Sequence, residues 1–297
     1  MGDGQEPSGD LAPRVSVGLN YRFLISQQAS NIFGGCWNTT VVTEVKEILL
    51  REVPNIEEVV VERVYLGLGY TGVKLDGGKA GVCHSLLSEM TPDCCQILGS
   101  AGSLAGRPAV EFLEMTNSWD LGERVIGVAT VNALSQIVFD NHPERYDVEE
   151  KNLINVLEVA SDDVVVLVGL IKPFVPVFRS KAEKLYILER GARREEGVLP
   201  DTACEEVIPE ADVVVITGST LANGTVDRLL ELAGSARTIA LVGPTVSCVP
   251  DPLFSRGVDY AGGVRIRDAD KALQVIAEGG GTPKFKLAGE FVTYKAG

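Results

Sequence analysis

Apolar residues recur along the first half of the chain with two different periods. In "TTVVTEVKEILLREV" (39–53), Val41, Val42, Val45, Ile48 and Leu49 share one helical face, and Pro54 stops the helix. "EEVVVERVYLGLG" (57–69) then reads as a strand. "GVKLDGGKAGVCHSL" (72–86) reads as a second strand, a turn at Gly77-Gly78 and a third strand. "GERVIGVATVNALSQIVF" (122–139) is long and apolar enough for a buried helix. Helices with antiparallel strands predict an α+β domain. The upstream stretch "RVSVGLNYRFLISQQ" (14–28) adds one or two strands to that expectation.

The second half alternates. "DDVVVLVGL", "KLYILE", "ADVVVITG", "RTIALVG" and "GVDYAGG" are continuous apolar runs, as suits parallel strands buried on both faces. Amphipathic stretches such as "VDRLLELA" and "DADKALQVIAE" fall between or after them. Repeated strand–helix units predict a doubly wound, mostly parallel α/β sheet. The expected organisation is a flexible lead-in over 1–14, an α+β domain over 15–150 and a Rossmann-like α/β domain over 151–297. The polar text "DNHPERYDVEEKN" (140–152) marks the junction, as a linker or a crossing helix.

Charge narrows the partners. The 297 residues carry a formal net charge of −14. That disfavours nucleic acid, whose phosphates need a basic surface, and an anionic membrane surface. No run is long and apolar enough to span a bilayer, and "MGDGQEPSGDLAPR" lacks the apolar core of a signal peptide. The chain reads as cytoplasmic. Six scattered cysteines do not form a disulfide framework. A homo-oligomer stays open.

"GLGYTG" (67–72) matches the dinucleotide pattern G-x-G-x-x-G by letter. The mechanism needs a helix to begin inside that loop, and here "VKLDGG" predicts a strand and a turn. The first strand–helix turn of the alternating half, where a true fingerprint belongs, reads "VGLIKPFVP". Gly169 is there, but Lys172, Pro173 and Pro176 fill the remainder, and a stiff loop cannot approach a pyrophosphate closely. NAD is therefore disfavoured. Glu189 ends the next strand, where a ribose-binding acid often sits; without the glycine loop it reads as a surface carboxylate.

The loop "ITGSTLANGT" (216–225) carries the densest small-polar chemistry. Placed at a strand's carboxyl end, Gly218 and Gly224 permit the turn, and Asn223 or Thr225 can cap the following helix. Thr217, Ser219 and Thr220 remain, and with free helix N–H groups they can cradle a carboxylate, phosphate or sulfate. The alternative is local turn bonding. In the neighbouring loop "GPTVSCVP", Gly243 and Pro244 turn the chain, so that Thr245, Ser247 and Cys248 can face the same crevice. Neither a G-x-S-x-G elbow nor a P-loop is present. Lys172 is the one catalytic candidate, as an electrostatic group or base.

"GVCHSLLSEMTPDCCQ" holds Cys83, His84, Cys94 and Cys95. Soft ions suit such ligands, but the spacing is not that of a structural zinc site. Adjacent strand residues face opposite ways, so only one of Cys83 and His84 can reach a shared ion. A metal ion stays open as a cofactor, with Cys83, His84 or Cys248 as candidate ligands of a partly open site.

"EADVVVITGSTLANGTVDRLLELA", "ALVGPTVSCVPDPLFSRGVDYAGG" and "IAEGGG" resemble the heavy-metal chelation domain family, and "VYLGLGYTGVKLDGGKAGVCHSLL" resembles its N-terminal partner domain. The match runs from about Asn38 to the C-terminus. The resemblance implies an N-terminal domain like that of enolase, a Rossmann-like C-terminal domain and a ligand cleft between them. It implies metal handling and a link to anaerobic cobalamin synthesis. It supplies no reaction. Two functions follow as expectations: binding of a small anionic or metal-containing ligand in that cleft, or an enzyme acting on a small carboxylated or phosphorylated metabolite without NAD.

Overall fold

The first helix, α1 (Val41–Glu52), starts where Thr40 accepts a hydrogen bond from the Thr43 N–H, and it buries Val41, Val45, Ile48 and Leu49. The computed structural model describes residues 39–90, 98–151, 153–191 and 197–297. The stretch 14–28, the lead-in 1–14, and Cys94 and Cys95 lie outside the described residues.

Strands β1 (Val61–Leu66), β2 (Tyr70–Leu75) and β3 (Ala80–His84) form an antiparallel three-stranded sheet in that order. "GLGYTG" is its first hairpin: the Gly67 N–H donates to the Tyr70 carbonyl, and a strand follows rather than a helix. After the short α2 (Ala109–Leu113), the long α3 (Leu121–Asn141) lies across this sheet. Asp120 caps it by accepting from the Glu123 N–H. The helix is buried nearly all round, which is why its sequence shows no polar face. A Cβ on Gly81 of β3 would come within 2.2 Å of the α3 backbone at Ala129 and Ala133, so only glycine permits this packing.

The second sheet has eight strands. They are β4 (Asp147–Val148), β5 (Val164–Val168), β6 (Lys184–Glu189), β7 (Val198–Pro200), β8 (Val213–Thr217), β9 (Thr238–Val242), β10 (Tyr260–Ile266) and β11 (Gly289–Lys295). Their spatial order is β4-β11-β10-β9-β8-β5-β6-β7. The six from β7 to β10 are parallel, while β11 and β4 add an antiparallel edge. With β5 taken as first, the parallel strands run third, second, first, fourth, fifth, sixth, the order of dinucleotide-binding sheets. Helices α4 (Leu153–Val156), α5 (Val175–Lys181), α6 (Cys204–Val207), α7 (Ser219–Asn223), α8 (Val226–Leu232), α9 (Asp251–Phe254) and α10 (Ala269–Ala277) connect or follow them.

One apolar cluster runs from α1, α3 and β2 into β8 and β9, joining the two sheets through a shared core. The chain is thus a mixed α/β protein with a small antiparallel sheet and a large, mostly parallel one. The antiparallel extension by β11 and β4 was not foreseen. "GEFVTYK" is short and keeps Glu290 and Phe291 exposed, so its pattern resembles surface text.

Candidate functional site

In an open sheet of this order the crevice lies where the chain reverses direction, beyond the carboxyl ends of the first and fourth strands. Those strands are β5 and β8. A pocket of about 340 Å3 opens there, lined by the ends of β5 (Val168, Gly169), β6 (Leu188, Glu189) and β8 (Thr217). His84, Leu86, Ser88 and Glu89, which follow β3, line it as well. Ser219, Thr220, Asn223, Thr225, Asp201 and Cys204 complete the polar wall.

The hydroxyl loop is organised differently from a long turn. A helix begins at once: α7 occupies Ser219–Asn223, ends on Gly224 at φ 77°, and α8 starts two residues later. The Thr220 hydroxyl donates to the Thr217 carbonyl at 2.7 Å, and the Asn223 side-chain carbonyl accepts from the Thr225 hydroxyl at 2.8 Å. Thr225 precedes α8 without a side-chain cap; Asn223 accepts from the Thr225 N–H instead, at 3.2 Å. Local bonding therefore uses up Thr220 and the carbonyl of Asn223. The Ser219 hydroxyl donates to the Thr217 hydroxyl across a long 3.3 Å on the pocket wall, a bond that an incoming anion can replace, which leaves the Thr217 O–H and the Asn223 amide N–H groups as donors. Gly218 packs against Val246, where a Cβ would meet the valine methyl at 2.4 Å. The Arg124 guanidinium covers Gly224.

The second loop does not reach the pocket lining. Gly243 turns the chain at φ 122°, and Pro244, Thr245, Ser247 and Cys248 are buried behind it. The Thr245 hydroxyl accepts from the His84 N–H at 3.0 Å, and the Thr245 carbonyl accepts from Asn132 at 2.9 Å. Ser247 donates to the Pro244 carbonyl and accepts from the Val264 N–H. These polar residues fasten the loop to β3, α3 and β10. Lys172 is exposed on the turn before α5 and is not part of the lining.

The alternation expected at Cys83 and His84 is present. Cys83 is fully buried in the core, and His84 is exposed at the pocket. Leu86, at φ 51°, turns its N–H back toward His84 Nδ1 at 3.4 Å. A non-glycine residue at positive φ costs about 1–3 kcal/mol, and here it orients an imidazole. With Nδ1 accepting, the neutral ring carries its proton on Nε2 and presents a donor. Although the residue keeps an open face, the pocket walls around the ring strip part of its hydration and hold the His84 pKa below its ordinary value, opposed by the charges of Glu89 and Glu189.

Burial pushes the Cys83 thiol up, and the Cys248 thiol up to about 12. Of the three metal candidates only His84 reaches the pocket. Among the described residues no three His, Cys, Asp or Glu side chains converge to hold an ion.

Glu189 departs from the surface role expected of it. It is half-buried on the pocket wall, and its two carboxylate oxygens accept from the Leu170 N–H at 2.6 Å and the Arg190 N–H at 3.1 Å. Arg190 bridges Glu89 and Asp201, each at 2.7 Å. Glu89, Arg190, Asp201 and Cys204 escaped the sequence reading. They lie in short segments whose approach to the pocket depends on the tertiary fold alone.

Two family models match the chain, over residues 152–295 and 48–135, and both are described as "Putative heavy-metal chelation". An uncharacterised protein of Methanocaldococcus jannaschii is 32% identical over 263 residues, covering 85% of this chain and 97% of that protein. The crystal structure of a protein of unknown function from Pyrococcus horikoshii superposes with a TM-score of 0.74 at 22% identity, over 86% of this chain and 100% of the other. A second, from Desulfitobacterium hafniense DCB-2, gives 0.69 at 26% identity, over 86% and 98%.

Proposed function

The chain belongs to this heavy-metal chelation family, and on that premise we propose that it binds one small polar ligand in the pocket at the ends of β5, β6 and β8. The ligand's anionic group lies on Thr217, Ser219 and the Asn223 amide. Its other end faces His84 and Glu189. The observation that carries this reading is that the Thr217 and Ser219 hydroxyls, the Asn223 amide, the His84 imidazole and the Glu189 carboxylate, from three separate segments of the chain, all line one pocket.

Size limits the ligand. About 340 Å3 is near the lower end of small-molecule pockets, roughly 300–1,000 Å3. That suits a metabolite or one arm of a larger cofactor; a whole tetrapyrrole would not be enclosed. The link to cobalamin synthesis is therefore best read as handling of a precursor fragment or a side chain. A metal would enter with its organic ligand, since the described residues offer one imidazole, the Cys204 thiol and dispersed carboxylates, no three of which converge on a closed site.

A catalytic reading has one observation in its favour. His84, whose Nδ1 accepts from the Leu86 N–H, lines the same pocket as a fixed carboxylate, a pairing that suits proton transfer to a small carboxylated or phosphorylated metabolite.

Calorimetric titration with inorganic phosphate, acetate and small phosphorylated acids tests the binding. A Thr217→Val, Ser219→Ala double variant should bind more weakly by about 0.5–1.5 kcal/mol per hydrogen bond lost. Thr220→Val should bind as the parent does, because its hydroxyl is already committed to the Thr217 carbonyl. Equal affinity in parent and double variant would assign the loop to structure alone.

A further inference from the structure

We propose that the ligand of this pocket is a ribonucleoside carrying an anionic 5′ substituent, with the vicinal hydroxyls of its ribose on Glu189 and the anionic group on the Thr217 and Ser219 hydroxyls. The inference rests on the reading of the pocket as the ligand site and deepens it.

Position is the first argument. Glu189 is the last residue of β6, the neighbour of β5 on the side away from β8. In a sheet of this order a carboxylate there stands where ribose hydroxyls are read. Orientation is the second. The Leu170 and Arg190 N–H groups each occupy one of the two carboxylate oxygens. A carboxylate has about four acceptor positions, so lone pairs remain on both oxygens for two adjacent hydroxyls. The group is held in place before any ligand arrives, which lowers the ordering cost of binding.

The distribution of the other end is the third argument. Gly169 stands between the two anchors at the end of β5. Its φ is 92°, and a Cβ there would come within 2.8 Å of the Thr217 side chain. The missing side chain lets the carboxylate and the hydroxyls flank a single opening. Leu170 and Ile171 supply apolar wall beside it, as the flat face of a base requires. The N–H groups of Gly169, Leu170 and Ile171 already donate to the Leu188 carbonyl, the Glu189 carboxylate and the Gly169 carbonyl, and α5 does not begin until Val175, so this turn offers no row of free donors to a pyrophosphate. A mononucleoside fits where a dinucleotide does not.

The test uses the full chain and calorimetry. The probes are the four ribonucleoside 5′-monophosphates, their 2′-deoxy counterparts, adenosine and S-adenosylhomocysteine. The first set carries a phosphate and the last a carboxylate on the 5′ side, so their ranking identifies the anionic source. At least one ribose form should bind about tenfold or more tightly than its 2′-deoxy form, the value of a lost hydrogen bond to a charged acceptor. In Glu189→Gln that preference should collapse to near unity. The deoxy comparison on the parent protein stands even if the variant fails to fold. Equal binding of ribose and deoxyribose forms overturns the proposal, and so does absence of any nucleoside binding at millimolar concentration. If nucleosides fail while inorganic phosphate binds in a Ser219-dependent way, this inference falls and the proposed function survives. If adenosine binds as tightly as its monophosphate, with full 2′-hydroxyl dependence, the diol assignment holds and the anionic part fails.

Discussion

The backbone N–H of His84 donates to the side-chain hydroxyl of Thr245 across 3.0 Å. Through that one bond the last residue of β3 is fixed to the buried loop after β9, and Asn132 of α3 ties both by donating to the carbonyls of Val82 and Thr245. The pocket's histidine is thus placed by a buried polar junction of three elements.

Replacing Thr245 by valine keeps the shape and removes the acceptor. Thr245 is 2% exposed, so water cannot readily substitute. The cost should be about 1–3 kcal/mol, that of a donor left unpaired. Urea unfolding should show a lower midpoint with an unchanged slope, and Thr245→Ser should recover most of the loss. A valine variant as stable as the parent would show that the junction contributes nothing.

NAD and NADP should not bind at physiological concentration. "GLGYTG" forms a hairpin between β1 and β2, and the turn after β5 presents Leu170 and Ile171 to the pocket. Helix α5 opens only at Val175, with Pro176 in its first turn. The Gly169, Leu170 and Ile171 N–H groups of that turn already donate to Leu188, Glu189 and Gly169, so they are not available to a pyrophosphate. Micromolar affinity for either dinucleotide by calorimetry would refute this.

The parallel strands were legible because burial on both faces leaves continuous apolar runs such as "VVVLV" and "VVVIT". The hairpin sheet and α3 were legible for similar reasons. The pocket residues named from sequence include the β8 cluster of Thr217, Ser219 and Asn223, and His84, singled out as a possible metal ligand. Pro244 and Thr245 look like ligand residues by composition, yet they are buried by packing against α3 and β10, and no local pattern separates a polar residue that binds from one that braces. Glu189 shows the reverse. Its position was recognised, but the missing glycine loop outweighed it, although the carboxylate is oriented by Leu170 N–H, a contact that needs no glycine fingerprint.

His84 should titrate below the ordinary imidazole value of about 6.5, because lost hydration outweighs the opposing charges of Glu89 and Glu189. The sign for stability follows. As pH falls below about 6.5 the unfolded chain takes up this proton before the folded one, so stability is lost through that window and kept above it. The sequence has two histidines, which makes assignment by imidazole NMR direct: His84→Gln should delete the low-midpoint resonance. The same variant should show a shallower acid loss of stability than the parent. A midpoint at or above the ordinary value would contradict the burial argument.

Metal retention should be low when no organic ligand is present. The ligand form of cysteine is the thiolate, and burial keeps both Cys83 and Cys248 protonated at neutral pH, the latter with its pKa pushed up to about 12. Cys83 packs in the core at 0% exposure and Cys248 at 5%. Neither can meet an ion without opening that core. His84 reaches the pocket, but Nδ1 already accepts from the Leu86 N–H, so Nε2 carries the proton and lacks the free lone pair that ligation needs. Coordination there would require the Leu86 contact to break. Elemental analysis after reconstitution with zinc, cobalt and nickel, followed by desalting, should find well under one equivalent. Cys83→Ser and Cys248→Ser should leave that amount unchanged. A full equivalent that disappears in a Cys83→Ser, Cys94→Ser, Cys95→Ser triple variant would instead locate a thiolate site in the stretch after β3. A full equivalent lost only with His84→Gln would mean that the imidazole turns over to ligate, and the Leu86 contact would then be the switch to examine.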